Sequence, residues 1–107
     1  MTEKVIVQVD RELEDLMPLF MDTRKRDMDG LAKGLASKDF AALAVIGHGM
    51  KGSGGAFGFQ LVTDIGAIIE DSALINDTDM IEKQLIVLRD YLARVEVQYV
   101  SGPLSLL

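Results

Sequence analysis

Residues 40–61 read FAALAVIGHGMKGSGGAFGFQL. Within them Phe40, Leu43, Gly47, Met50, Gly54, Phe57 and Leu61 fall at alternating steps of three and four, the spacing that lines side chains along one face of a packed α-helix. Six glycines lie in this same stretch, at 47, 49, 52, 54, 55 and 58. Each costs a helix interior about 1 kcal/mol relative to Ala, so a fully helical reading gives up on the order of 5 kcal/mol. Helix packing accounts for Gly47 and Gly54, which sit on the seam, where a missing side chain lets a second helix come close. It does not account for Gly52 and Gly55. These share a different stripe with His48 and Lys51, and they bare the backbone beside the only histidine in the chain.

Upstream of this helix, Ser37 or Asp39 offers a side-chain oxygen to cap its first turn. Leu13, Met17, Phe20, Met28, Leu31 and Leu35 mark an earlier amphipathic stripe that Pro18 divides. Proline is tolerated in the first turn of a helix but not inside it, which predicts a short helix after an Asp10 N-cap and a longer one from about 18 to 36. Val5, Val7 and Val9 alternate, so residues 1–9 are expected to be extended. Downstream, Leu61, Ile65, Ile68 and Ser72, flanked by Ile69 and Ala73, predict a third long helix, which Asn76-Asp77-Thr78-Asp79 ends as a turn and cap cluster. Ile81, Leu85, Leu88, Leu92, Val95 and Tyr99 predict a last helix of five turns. Gly102-Pro103 is expected to end the ordered region within an apolar tail over residues 100–107.

These segments predict an all-α fold, an antiparallel four-helix bundle with a short extra N-terminal helix, because each apolar stripe needs a partner to leave water. A length of 107 residues fits one domain, with the bundle at about 10–99, and is too short for a nucleotide-binding kinase core plus a substrate domain. Apolar residues make up 49% and aromatics only 6%, so Leu, Ile, Val, Met and Ala must fill the core. The absence of cysteine removes disulfides, thiol chemistry and Cys-ligated zinc, and it suits the cytoplasm. The N-terminus lacks a secretory pattern and no apolar run is long enough to span a bilayer, so no membrane association is expected. A net charge of -6 argues against nucleic acid, and the one basic cluster, Arg24-Lys25-Arg26, is expected on a solvated helix face.

The chemistry concentrates at His48. A neutral imidazole is a nucleophile toward phosphorus at physiological pH, and a nearby cation such as Lys51 neutralises the oxygens of a transferring phosphoryl group. A helical hairpin turning near Phe59 places residues whose numbers sum to about 118 opposite one another, so His48 faces Glu70. A carboxylate there accepts a hydrogen bond from Nδ1–H and leaves Nε2 free to attack.

The run His48-Gly49-Met50-Lys51-Gly52-Ser53, with Gly58 ten positions after the histidine, resembles the motif of histidine-containing phosphotransfer domains. The resemblance extends through the register of the helices over roughly residues 10–99. It implies that His48 takes up a phosphoryl group on Nε2, that Lys51 assists electrostatically, and that Gly49, Gly52 and Gly55 leave room for a docking receiver. Gly58 is implied to end or loosen the helix. Gly54 and Gly55 depart from the Ser or Ala common after Gly52 in such domains and make this helix end looser. The implied activity is a relay between His48 and the aspartate of response-regulator receiver domains, and a hybrid histidine kinase is admitted as a further partner. The carrier is expected to be a monomer with no cofactor or metal of its own, Mg²⁺ residing on the receiver, and with no autokinase or ATP-binding region. Two rivals stand beside it. A nucleotide-binding loop needs Gly-Lys followed by Ser or Thr, whereas Lys51 precedes Gly52-Ser53. A helical adaptor without phosphotransfer shares the fold and differs only in covalent chemistry.

Overall fold

In the computed structural model, which describes residues 3–101, the chain runs β1 (Val5–Asp10), a 3₁₀ helix (Arg11–Leu16), α1 (Met17–Ser37), α2 (Phe40–Ser53), a 3₁₀ turn (Gly55–Phe57), α3 (Gln60–Leu74), α4 (Thr78–Arg94) and β2 (Val95–Val100). Carboxylates begin three of the helical segments by accepting free first-turn amides. Asp10 accepts from the Glu12 N–H at 2.9 Å, Asp39 from Ala42 at 3.1 Å and Asp77 from Met80 at 3.1 Å. Asp39 is therefore the cap of α2, while the Ser37 hydroxyl donates back to the Lys33 carbonyl. Pro18 occupies the first turn of α1, where its missing N–H leaves no bond unmade.

The helices pack in a closed ring, α1 on α2, α2 on α3, α3 on α4 and α4 on α1, so the fold is an all-α four-helix bundle. Leu31, Leu43, Met50, Phe59, Ile65, Ile69, Ile81 and Leu88 are fully buried at its centre. Each contributes about 1.5–3 kcal/mol by leaving water. On α3 the buried face is Val62, Ile65, Ile69, Ser72 and Ala73, and two residues expected on the seam, Leu61 and Ile68, are 37% and 39% exposed. The helix is rotated so that Gly66, the residue with least bulk, meets α2.

The last helix is shorter than its stripe predicts. α4 stops at Arg94, and Val95 and Tyr99 belong to a strand that pairs in parallel with β1, Val5 opposite Val95 and Asp10 opposite Val100. The sequence VEVQYV alternates and is rich in β-branched and aromatic residues, and its apolar positions also satisfied a helical spacing. The whole bundle serves as the crossover between the two strands. A two-stranded sheet is marginal alone, so it packs onto the bundle through buried Val7 and Val9, with Val95, Val97 and Tyr99 partly covered. The expected break at Gly102-Pro103 and most of the expected tail lie outside the described residues.

Candidate functional site

Two glycines bring α2 and α3 together. A Cβ on Gly66 would stand 2.5 Å from the Lys51 amide nitrogen and 2.6 Å from the Gly47 carbonyl oxygen, and a Cβ on Gly47 would stand 2.7 Å from the Glu70 amide nitrogen. No side chain fits on either side, so backbone meets backbone and the register of the hairpin is fixed. Gly54 extends the seam, since a Cβ there would lie 2.6 Å from the Thr63 amide nitrogen. Gly66 was not singled out from the sequence, although the pairing rule that set Glu70 opposite His48 also sets Gly66 opposite Lys51.

This register carries one carboxylate under two α2 side chains. His48 Nδ1 lies 2.9 Å from Glu70 Oε2, and Lys51 Nζ lies 3.4 Å from Glu70 Oε1. An ionised carboxylate only accepts, so Nδ1 carries the proton and donates it. The Glu70 carboxyl is 23% exposed. That partial burial pushes its pKa up, but the hydrogen bonds from His48 and Lys51, together with their charges, more than offset it and hold the carboxyl below its ordinary range. Lys51 thus stands between Glu70 and solvent, half-exposed.

The imidazole itself is 74% exposed. Around it the surface is bare, because a Cβ placed on Gly49 or on Gly52 would meet nothing within 4 Å. These two glycines have no packing role, which sets them apart from Gly47, Gly54 and Gly66. Gly55 is different again. α2 ends at Ser53, so Gly55 lies in the following 3₁₀ turn, where its N–H donates to Thr63 Oγ1 at 2.8 Å. Gly58 terminates that turn rather than α2. Its φ of 88° is left-handed, and a Cβ there would also approach the Gln8 carbonyl to 2.9 Å. The structure therefore gathers His48, Lys51, Glu70, Gly49 and Gly52 on one surface, with Gly55 and Gly58 below the end of the helix.

The site is convex. An apolar groove of about 310 Å³ between α1 and the end of α2 is lined by Leu16, Leu19, Ser53 and Phe57, and His48 stands outside it. A histidine on open surface has no walls for a small substrate and suits a macromolecular one.

Arg24 departs from expectation. It is only 3% exposed, whereas the cluster Arg24-Lys25-Arg26 was expected on a solvated face; Lys25 and Arg26 are exposed. Its guanidinium binds Asp27 and Ser53, each at 2.8 Å. Burial raises the Asp27 pKa despite the opposing pull of Arg24.

A family model described as Hpt domain matches residues 15–98. The chain belongs to the Hpt domain family. Hpt domains are phosphocarriers rather than kinases, and the family implies phosphotransfer in two-component phosphorelays, with response regulators and kinases as partners. No significant match is found among curated proteins or among solved structures. Among the described residues of this Hpt domain, no helix is long and apolar enough to cross a membrane.

Proposed function

We propose that this Hpt domain carries a phosphoryl group on His48 and exchanges it with the active-site aspartate of response-regulator receiver domains. One observation carries the reading: the imidazole is largely exposed among Gly49 and Gly52, with Nδ1 held by Glu70. Holding the proton on Nδ1 leaves the Nε2 lone pair directed away from Glu70, available as the nucleophile.

Transfer is in line. Nε2 attacks phosphorus as the bond from phosphorus to the aspartyl oxygen breaks, and the receiver carboxylate leaves with the electron pair. The imidazole gains positive character as the N–P bond forms, and the ionised Glu70 stabilises it through the Nδ1 proton, which stays in place. Lys51 lies one turn from His48 and offsets the charge of the equatorial phosphoryl oxygens. The reverse step regenerates the aspartyl phosphate. Mg²⁺ belongs to the receiver's acidic pocket, and the carrier acts as a cytoplasmic monomer.

Incubation with phosphorylated receiver domains should produce an acid-labile, alkali-stable phosphoprotein. His48→Gln should abolish that label while keeping the helical circular dichroism. A label that survives the substitution refutes the assignment of His48, and a wild-type chain that takes no phosphate from any receiver of its source organism favours the adaptor reading.

A further inference from the structure

The phosphorelay reading makes no use of Arg24, yet this residue is the most heavily engaged cation in the bundle. Its Nε donates to Asp27 Oδ2 and its Nη1 to Ser53 Oγ, both at 2.8 Å, and the guanidinium carbon lies 4.7 Å from the centroid of the Phe20 ring. A buried ion pair is seldom more stabilising than an apolar replacement of similar volume, so bulk stability is a weak reason for its presence. Its position gives a better one. Ser53 is the last residue of α2, and its hydroxyl donates to the Gly49 carbonyl at 3.0 Å while it accepts from Arg24. A continuous chain therefore runs from α1 through Arg24 and Ser53 to the backbone of the residue after His48.

The segment it reaches is poor in side chains. Gly49 and Gly52 give the last turns of α2 little intrinsic helicity, and neither lies against a neighbouring element. The carbonyls of a helix end also carry partial negative charge, and a cation held beside them is favourable. We infer that Arg24 is a positioning residue of the transfer reaction: through Ser53 its guanidinium pins the last turns of α2 and keeps the bare strip beside His48 helical for the docking receiver. This rests on His48 being the relay histidine. It also explains why a surface so poor in side chains holds one shape, and why its glycines need no partner of their own.

The test uses Ser53→Ala, which removes the link without leaving a bulky change, and Ser53→Thr, which restores a hydroxyl. Amide hydrogen exchange over residues 50–55 should rise about tenfold in Ser53→Ala, the effect of losing one hydrogen bond to a charged group. Exchange over residues 85–91 of α4 should not change. Transfer from a phosphorylated receiver should slow about tenfold, while labelling of His48 by phosphoramidate, a small donor that needs no docking surface, should stay within about twofold of the parent. Ser53→Thr should recover both parent values. Exchange that is unchanged, or that rises equally in α2 and α4, overturns the clamp, and so does equal slowing of transfer and phosphoramidate labelling. A parent chain that accepts no phosphate from receivers sinks the relay itself, and the exchange comparison then still decides whether Ser53 pins the helix.

Discussion

Adding one methyl group to Gly66 or to Gly52 should move stability in opposite directions. In Gly66→Ala the new Cβ would stand 2.5 Å from the Lys51 nitrogen and 2.6 Å from the Gly47 oxygen, both of them backbone atoms that no rotamer change can move. Reaching ordinary contact requires α2 and α3 to part by about 1 Å, a gap that already forfeits a quarter to a half of each facing dispersion contact. Overpacking of this kind costs about 3 kcal/mol, and the better helix propensity of Ala returns about 1 kcal/mol, for a net loss of about 2 kcal/mol. In Gly52→Ala nothing lies within 4 Å of the new methyl, so the propensity gain of about 0.5–1 kcal/mol stands alone. Urea unfolding followed by far-ultraviolet circular dichroism reads both. With a slope of about 1–1.5 kcal/mol per molar, the midpoint of Gly66→Ala should fall by about 1–2 M and that of Gly52→Ala should rise by about half a molar. Equal shifts of the same sign would falsify the division of the glycines into seam and clearing.

Two further outcomes bear on the chemistry. Lys51→Ala should slow transfer from a phosphorylated receiver by about 5- to 10-fold without abolishing it, the worth of one half-exposed charge about 4 Å from the phosphoryl oxygens; an unchanged rate removes Lys51 from the mechanism. Glu70 is held below its ordinary range in the folded protein, so the stability it adds is fully present above the unfolded value of 4.5 and is lost as pH falls through the folded value. Glu70→Gln should flatten that part of the acid limb in urea midpoints measured across the acid range, and identical limbs in the two proteins would show that the carboxylate is not held by His48 and Lys51.

Much of the candidate site is legible because it is local. The motif from His48 to Ser53 lies within one helix, and the distance from His48 to Glu70 follows from a single hairpin whose turn is marked by Gly54, Gly55 and Gly58. The caps act on amides two or three residues away, so the sequence names Asp10 outright and narrows the others to Ser37 or Asp39 and to the cluster Asn76-Asp77-Thr78-Asp79, from which the structure selects Asp39 and Asp77. Gly66 does not stand out by composition, because an isolated glycine in an apolar helix looks unexceptional until the hairpin pairing sets it opposite Lys51. Leu61 and Ile68 were placed on the seam because spacing gives the width of an apolar stripe but not the rotation of the helix within it.

The sequence by itself determined that there are four helices, about where each begins, and the stripe that bears His48, because helical hydrogen bonds and amphipathic spacing act over a few residues. Only the tertiary structure decided that Val95–Val100 is a strand, since the backbone partners that make it one come from Val5–Asp10 at the far end of the chain. The same holds for Arg24. Its neighbours Lys25 and Arg26 face water as expected, but Arg24 is carried inward to Ser53, a residue 29 positions away, and burial of a charge depends on a partner that no local pattern reveals.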